Sequence, residues 1–345
     1  MHRKKNNIPD DKIDFVIAWV DGSDPAWRKR KEKFLGTDSE DDRIERYRDW
    51  DLLRYWFRGI ERFAPWVNRI WFICDQNPPE WLNLDHPKLH VVRHEDYIPQ
   101  EYLPAFSSHP IELNMHRIKG LSEKFVYFND DMFLIAPVER SFFFENNLPR
   151  DSAVLNPVPT DDLVGKGGGG KIFAMFLNNA AYINREYDFK TCIRQHPFKW
   201  LNMLYGQDVI RNMMLMMWPR FVGFVENHLP QPYLKSSFED AWEKNHDILD
   251  ATSRHHIRDD RDVNQWYIRN RQLAEGRFVP CKPQRHLAFN LAEDNERMHQ
   301  TIRQQLVPMI CLHDCQMTGK EVEQIQRKIK ADFESVLGGK SDFEI

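Results

Sequence analysis

An apolar run that ends in adjacent acids constrains this chain more than any other feature. Phe125 to Phe128 predicts a buried strand, which Asn129, Asp130 and Asp131 end abruptly. Two carboxylates at the end of a buried strand are unfavourable unless a cation, a substrate hydroxyl or an arginine offsets their charge. The alternative is a turn in which the Asn and Asp side chains cap the next element. The pattern predicts either a binding site or a capped turn at this point.

Strands and helices alternate through the first part of the chain. Apolar runs predict strands at 13–20, 69–74, 89–92 and 125–128. Charged or helically spaced sequence predicts helices at 26–34, 50–63 and 110–118. This order favours an α/β fold with a mostly parallel sheet and helices on both faces. Ligands of open α/β sheets bind outside the carboxyl ends of the strands, which is where Asp130 and Asp131 fall.

The remainder of the chain is less regular. The glycine-rich run Gly165 to Lys171 lacks the Gly-Lys-Ser/Thr ending of a phosphate-binding loop, so we expect a flexible connection. Met203 to Met217 is rich in methionine and predicts a core helix, and 320–337 predicts a charged helix. We expect a polar tail at 1–12 and one domain at 13–345, made of an α/β core (13–140), a variable insert (141–225) and a mainly helical C-terminal part (226–345).

Composition disfavours several classes of protein. The net charge of −4 over 345 residues argues against a nucleic-acid partner. Met1 to Lys12 lacks the apolar core of a secretory signal, and no apolar run approaches the ~18 residues of a membrane span. We expect a cytoplasmic protein, with peripheral association at the inner face of the cell membrane left open. The five cysteines are scattered, and Cys311 and Cys315 lack the second ligand pair of a structural zinc site.

Four polar blocks next to apolar strands or helix starts carry residues of catalytic type. They begin at Trp19, Arg46, Glu226 and Ile310. In this order they resemble the four characteristic regions of the Stealth family, which includes bacterial capsular-polysaccharide phosphotransferases and the animal GlcNAc-1-phosphotransferase. The second block is the most specific, and its matching positions are Arg46, Asp49, 53–55, 60–66, 79–82, 106–108, 111–112, 116–118, 120–122 and 128–131.

The resemblance implies an enzyme with a nucleotide-sugar transferase core of the Rossmann-like or GT-A-like type. It implies transfer of a hexose- or N-acetylhexosamine-1-phosphate from a nucleotide sugar, such as a UDP-sugar, to a hydroxyl of a glycan or lipid-linked oligosaccharide. A phosphodiester forms and a nucleoside monophosphate leaves. Such a step depends mainly on positioning the reactants and on neutralising negative charge.

The resemblance also implies a role for each matched polar residue. Asp130 and Asp131 would bind Mg²⁺ (or Mn²⁺), which prefers carboxylate oxygens. Arg117 and Arg258 would clamp phosphate, because a guanidinium binds phosphate oxygens in pairs. His228 would act as general base on the acceptor hydroxyl or would attack phosphorus itself. The implied donor-binding residues are Asp21, Gly22, Asp24, Arg54, Glu112, His116, Asn129 and Asp262.

On this interpretation His228, Asp131, Arg117 and Arg258 share one cleft. Two other functions stay open. A conventional metal-dependent glycosyltransferase carries Asp-x-Asp at a strand end, and the acidic run here lacks that spacing. A non-catalytic carbohydrate-binding protein would use some of the 11 tryptophans as platforms. The released nucleotide separates the functions: a monophosphate for phosphotransfer, a diphosphate for glycosyl transfer from a UDP-sugar, and none for a binding protein.

Overall fold

The computed structural model describes residues 12–35, 47–159, 170–284, 287–291, 295–315 and 317–345. The predicted tail up to residue 11, Arg46 and the glycine-rich run up to residue 169 lie outside the described residues. The strands are β1 (Ile13–Ala18), β2 (Ile70–Ile73), β3 (Leu89–Val92), β4 (Lys124–Asn129), β5 (Met132–Leu134), β6 (Phe144–Glu145), β7 (Leu148–Asp151), β8 (Gln231–Leu234), β9 (Val279–Pro280), β10 (Ala288–Asn290) and β11 (Met309–His313).

The helices fall between these strands and dominate the second half of the chain. The α-helices are α1 (Pro25–Leu35), α2 (Leu53–Phe63), α3 (His94–Tyr97), α4 (Ser108–Leu113), α5 (Arg140–Phe143), α6 (Gly170–Glu186), α7 (Phe189–Gln195), α8 (Pro197–Trp200), α9 (Asp208–Leu215), α10 (Lys235–Lys244), α11 (His246–Ser253), α12 (Gln265–Ala274), α13 (Glu296–Arg303) and α14 (Gly319–Leu337). Short 3₁₀ turns lie at Gln100–Tyr102, Met115–Arg117 and Met203–Tyr205.

The central sheet has the strand order β3-β2-β1-β4-β8. The first four strands are parallel, and Ile17 on β1 lies opposite Phe72 and Phe128. Both faces of β1 and β4 are buried, which explains why these strands are uninterrupted apolar runs. β8 is antiparallel to β4, with Gln231 opposite Tyr127. Because β8 runs backwards, the residues that precede it arrive at the carboxyl end of β4.

A second sheet of order β10-β11-β5 begins where the central sheet ends. Asp130 and Asp131 are the only residues between β4 and β5. β5 pairs with β11 in antiparallel register, so Met132 lies opposite Cys311. The amide of Leu312 also donates to the carbonyl of Asp131 at 2.9 Å. The acidic pair is therefore held between two sheets, and the residues around Cys311 lie beside it.

Two apolar cores cover the two faces of the central sheet. On one face Trp56 of α2 packs against Phe128 of β4, and Phe333 of α14 packs against Tyr55 of α2 and Phe133 of β5. On the other face α10 and α12 bury Phe238 and Tyr267. The predicted fold class, a mostly parallel α/β sheet covered on both faces with a mainly helical C-terminal part, is confirmed by this arrangement.

The prediction of a core helix over Met203 to Met217 is wrong. The segment forms a 3₁₀ turn and then α9, and its methionines lie at the surface: Met203, Met214 and Met217 are 84%, 69% and 85% exposed. The reason is that the side chain of Asn212, not an apolar side chain, is the fully buried residue of α9. Apolar composition alone therefore gave the wrong burial for this segment.

Candidate active site

A histidine and an aspartate from distant parts of the chain meet at the carboxyl end of β4. His228 Nε2 lies 3.2 Å from Asp131 Oδ2 and 3.1 Å from Asn129 Nδ2. His228 reaches this point because it precedes the reversed edge strand β8. Burial lowers the pKa of His228, but the charge and hydrogen bond of Asp131 together with the charges of Glu112 and Asp130 outweigh burial, and the net pKa is raised. The two side chains form a hydrogen-bonded acid–imidazole pair.

Two residues of β11 complete this group. Cys311 and His313 lie on the strand opposite β5, and ligand atoms of Asp131, His228, Cys311 and His313 all lie within 4.8 Å of one another. The rings of His228 and His313 have centroids 5.1 Å apart. Burial, followed by the neighbouring Asp131 charge, raises the pKa of the Cys311 thiol, which stays protonated and neutral. We call these four residues the Asp131 cluster.

Further carboxylates surround the Asp131 cluster. Asp130 is exposed at the surface. Desolvation and the neighbouring charges of Asp131 and Asp49 raise its pKa to about 8. The pKa of Asp49 is raised by desolvation and by the neighbouring Asp51 and Asp21. Asp21 follows β1, and Asp49 lies in the segment that precedes α2. Mutual repulsion among these carboxylates is what a site for a cation is expected to show when no cation is present.

Glu112, on α4, interacts electrostatically with Arg258 and with His228. Glu112 is buried, and desolvation raises its pKa to about 7 against the opposing charges of Arg258 and His228. Arg258 Nη2 lies 3.4 Å from the hydroxyl of Ser108 at the start of α4. The charge of Glu112 therefore links Arg258 electrostatically to His228, in agreement with the prediction that these residues lie near one another.

Asp262 holds the segment that carries Arg258. Its carboxylate is fully buried and accepts from His109 Nδ1 at 2.8 Å and from His255 Nδ1 at 2.6 Å. The amide of Asp259 donates to the same carboxylate at 3.0 Å. With its oxygens occupied in this way, Asp262 fits the role of a positioning residue for Arg258 better than the donor-binding role that the sequence predicted.

The turn after β1 combines one accessible acid with two structural residues. A Cβ on Gly22 would lie 2.2 Å from the carbonyl oxygen of Tyr47, so only glycine fits there. Asp24 accepts from the amide of Ala26 and from Gln76, so it holds the start of α1. Asp21 accepts from Ser23 and faces the carboxylates described above. Among these three predicted donor-binding residues, only Asp21 belongs to the acidic surroundings of the site.

Three predicted site residues are not brought to this group. Arg54 pairs with Glu344 at 3.4 Å and lies over the ring of Trp81, as part of the contact between α2 and the C-terminal residues. His116 is buried against Phe238 and Trp242, and burial lowers its pKa to about 3.

Arg117 is the third of these residues. It is exposed, donates to Asn114 and lies over Trp242. The 3₁₀ turn that carries it leads into the start of β4, whereas Asp131 follows the end of β4. The structure thus brings His228 and Asp131 into contact, and the contacts of Arg117 are made elsewhere.

Sequence reasoning left three neighbours of the site without a role. Cys311 and His313 lie in the fourth polar block, but the sequence assigns neither of them a role at the site. The signal for both was their place directly after an apolar run, which is the same signal that identified Asp131. Asp49 does not follow an apolar run, because the segment before α2 is not a strand. The salt bridge from Arg48 Nη1 to Asp314 Oδ1 at 2.8 Å now ties this segment to the end of β11.

Asp131 fits the ligand of a divalent cation. Its Oδ1 is buried and, among the described residues, has no hydrogen-bond partner by geometric criteria. Such an atom is costly unless another group satisfies it. The predicted partner Asp130 is adjacent in the turn between β4 and β5 but does not belong to the Asp131 cluster. Asp131 would hold such a cation, and His228, Cys311 and His313 are the residues close enough to share it.

Comparison with known proteins identifies the family. The model of Stealth protein conserved region 1 matches residues 11–39, and that of conserved region 2 matches residues 46–151. The chain is 37% identical over 338 residues to the capsular polysaccharide phosphotransferase WcwK of Streptococcus pneumoniae, covering 97% of this chain and 98% of that protein. The chain belongs to the Stealth family. The family prediction made from the sequence is confirmed.

Other relatives of this Stealth chain also match along their whole length. It is 38% identical to the receptor polysaccharide phosphotransferase WefC of Streptococcus gordonii, over 97% of this chain and 99% of that protein. It is 35% identical to the exopolysaccharide phosphotransferase cps2G of Lactiplantibacillus plantarum, over 96% of each protein. The prediction of an enzyme of the phosphotransferase class is confirmed by these relatives. The crystal structure of an active-site mutant of LgtC shares 11% identity and a TM-score of 0.34 over 92% of this chain and 95% of that chain, which is too low to support an argument.

Proposed function

We propose that this Stealth protein transfers a sugar-1-phosphate from a nucleotide sugar to a hydroxyl of a capsular or exopolysaccharide acceptor. The observation that carries the proposal is the contact of His228 Nε2 with Asp131 Oδ2 at 3.2 Å at the carboxyl edge of the sheet. The relatives that match over their whole length are named polysaccharide phosphotransferases, which supports the same reaction class. The donor is a UDP-sugar or another nucleotide sugar, and the acceptor is a glycan or a lipid-linked oligosaccharide.

His228 acts on the acceptor hydroxyl in this mechanism. The imidazole takes the hydroxyl proton as the acceptor oxygen bonds to phosphorus, and the Asp131 carboxylate stabilises the imidazolium that results. The bond from phosphorus to the departing nucleoside monophosphate oxygen breaks. Attack by His228 itself on phosphorus is the alternative route, and it passes through a phospho-histidine. One in-line displacement inverts the configuration at phosphorus, whereas two displacements retain it, so a chiral-phosphorus donor separates the routes.

Arg258 and the surrounding carboxylates handle the charge of the donor. Arg258 donates to phosphate oxygens, and Asp262 keeps its segment in place through His109 and His255. Asp131, with Asp21, Asp49 and Asp130 around it, would hold Mg²⁺ or Mn²⁺, which neutralises phosphate charge when bound. Glu112 balances Arg258 and His228, so the empty site does not carry an unopposed positive charge.

The decisive experiment identifies the released nucleotide. The protein is incubated with a panel of UDP-, GDP- and CDP-sugars, with Mg²⁺ or Mn²⁺ and a capsular oligosaccharide. Release of UMP from a UDP-sugar, together with a phosphodiester in the product, is the expected result. Release of UDP would instead establish glycosyl transfer. Turnover that continues after exhaustive chelation would contradict the cation part of the proposal alone.

A further inference from the structure

One surface of the insert concentrates the exposed apolar side chains of the described residues. Elsewhere such side chains are scattered singly, as is usual for a protein surface. Within residues 198–218 they accumulate, and the exposed fractions there are Phe198 83%, Met203 84%, Leu204 51%, Ile210 58%, Met213 49%, Met214 69%, Met217 85% and Trp218 60%. We call residues 198–218 the α9 surface. A concentration of exposed apolar side chains of this kind is typical of an interaction site.

The helix at the centre of this surface, α9, is amphipathic, but its apolar face points to solvent and its polar face points into the protein. Ile210, Met213 and Met214 follow the i, i+3, i+4 spacing of one face of α9, and Met217, in the turn after the helix, continues this spacing; all four are exposed. The opposite face is anchored by Asn212, which is fully buried. Its amide donates to the carbonyls of Ala153 and Trp200 at 2.7 Å and accepts from the amide of Leu155 at 2.8 Å. Polar bonds therefore hold α9 to the protein and leave its apolar face available.

The charge around the α9 surface is opposite to that of the whole chain. Residues 189–220 contain five basic residues and one acidic residue, Asp208, although the chain as a whole has a net charge of −4. Asp208 is buried and lies 3.5 Å from Arg211. Arg194 and Arg220, which flank the surface in sequence, are exposed. The apolar surface is thus bordered by positive charge.

We propose that the α9 surface docks on an anionic lipid bilayer. Apolar side chains would enter the outer part of the acyl region, and the flanking arginines would contact lipid phosphates. This inference goes beyond the transfer chemistry and stands on the surface alone, whatever donor the enzyme uses.

The composition of the surface favours a bilayer over a protein partner. A tryptophan among the exposed apolar side chains suits the boundary between apolar and polar layers, and the basic residues that flank the surface complement lipid phosphates. The attachment would be peripheral. With 8 residues α9 is about 12 Å long, far short of the ~30 Å apolar layer. Within the described parts of the chain, no helix has both the length and the apolarity to cross a membrane.

Vesicle binding of the full chain tests the proposal. Co-sedimentation compares vesicles of phosphatidylcholine alone with vesicles that also contain phosphatidylglycerol. The wild-type protein is expected to bind the anionic vesicles. The triple variant Met213→Ser, Met214→Ser, Met217→Ser is expected to bind them at least about tenfold more weakly, because three exposed apolar side chains are lost. The matched control is Leu84→Ser with Leu306→Ser, two leucines that are 54% and 58% exposed elsewhere.

A second pair of variants tests the charge. Arg194→Glu with Arg220→Glu is expected to abolish the preference for anionic vesicles, whereas Lys320→Glu with Arg327→Glu on α14 makes the same change of charge and is expected to leave it unchanged. All substituted side chains are exposed, so the variants are expected to fold, and circular dichroism checks this.

Absence of vesicle binding, or equal binding by the Met variant, would overturn the proposal. Self-association that the Met variant disperses, without vesicle binding, would assign the surface to a protein interface instead. Nucleotide release with a soluble acceptor is measured in parallel and tests the proposed reaction separately.

Discussion

Charged side chains lie inside the protein at the carboxyl edge of the sheet, whereas apolar side chains lie outside on α9. The first region holds Asp131 and His228 half-buried and Glu112 buried in a cleft. The second places Met214 and Met217 in solvent and buries Asn212. Both regions depart from the usual burial of apolar residues and exposure of charged ones.

The two regions differ in which groups bind the unusually placed side chains. In the cleft the charges are opposed by one another, and an unbonded carboxylate oxygen of Asp131 remains for a ligand. On α9 the buried amide of Asn212 is fully bonded within the protein, and the apolar face remains for a partner. Each region therefore exposes a group, a carboxylate oxygen or an apolar face, that a bound ligand or partner would cover. Such departures from the usual burial pattern are expected at functional sites.

The largest effect is expected from Asp131→Asn, which tests whether the unbonded oxygen serves a ligand. Turnover is expected to fall about a thousandfold, because the amide removes the charge that holds the cation and stabilises His228. Asn has nearly the volume of Asp, so the melting temperature is expected to change little. Asp85→Asn, an exposed change of the same kind, serves as the control. Near wild-type turnover would reduce Asp131 to a turn residue.

His228→Ala, compared with His313→Ala, distinguishes the reacting imidazole from the neighbouring one. The rate of the transfer step is expected to fall about a hundredfold while the Kd of the donor stays nearly constant, because a base or nucleophile acts in the transition state. His313→Ala, which removes the ring 5.1 Å away, is the matched control and is expected to cost less. Equal losses in single-turnover experiments would indicate that both imidazoles serve the cation.

On the other side of the comparison, Asn212→Ala tests the anchor of α9. The change leaves two carbonyls and one amide without their side-chain partner, so the free energy of unfolding is expected to fall by about 2 kcal/mol. Asn202→Ala removes an asparagine that bonds the Leu204 amide near the surface, and it is expected to cost under about 1 kcal/mol. Urea unfolding measures both. A cost equal to that of the control would show that α9 is held by other contacts.

The smallest effect is expected from Arg258→Lys, which keeps the charge of the cleft but loses the planar fork. Turnover is expected to fall about tenfold, which corresponds to about 1.4 kcal/mol in the barrier. Arg261→Lys changes an exposed arginine three residues away and is expected to have no effect. If kcat/KM were the same for both variants, Arg258 would belong to the surface charge and not to the phosphate site.

The sequence predicted the cleft better than the insert, for a physical reason. β1 and β4 are buried on both faces, so their apolar runs identify the strands and the strand ends identify Asp21 and Asp131. The convergence of His228 followed from the resemblance and not from local pattern, because the reversed direction of β8 could not be read from four residues. Arg54 and Arg117 were overestimated because matching motif positions also include residues that hold elements together.

In the insert the sequence shows helical periodicity, but it does not indicate whether the apolar face of the helix is buried or exposed. The spacing of Ile210, Met213, Met214 and Met217 is that of a buried face, and only the three bonds of Asn212 to distant backbone turn that face outward. Such bonds depend on the tertiary arrangement of residues near 153 and 200. A pattern of apolar residues specifies that a helix has two faces, while its surroundings decide which of them is buried.

The short link between β4 and β5 has a consequence for how this chain can change in length. Asp130 and Asp131 connect a strand of the central sheet directly to a strand of the second sheet. Adding or deleting one residue there would slide β5 against β11 by one position and reverse which side chains point inward. Variation among related sequences is therefore expected as substitutions at this link and as insertions in the loops far from it, so an alignment gap at this point would indicate a misplaced alignment or an inactive protein.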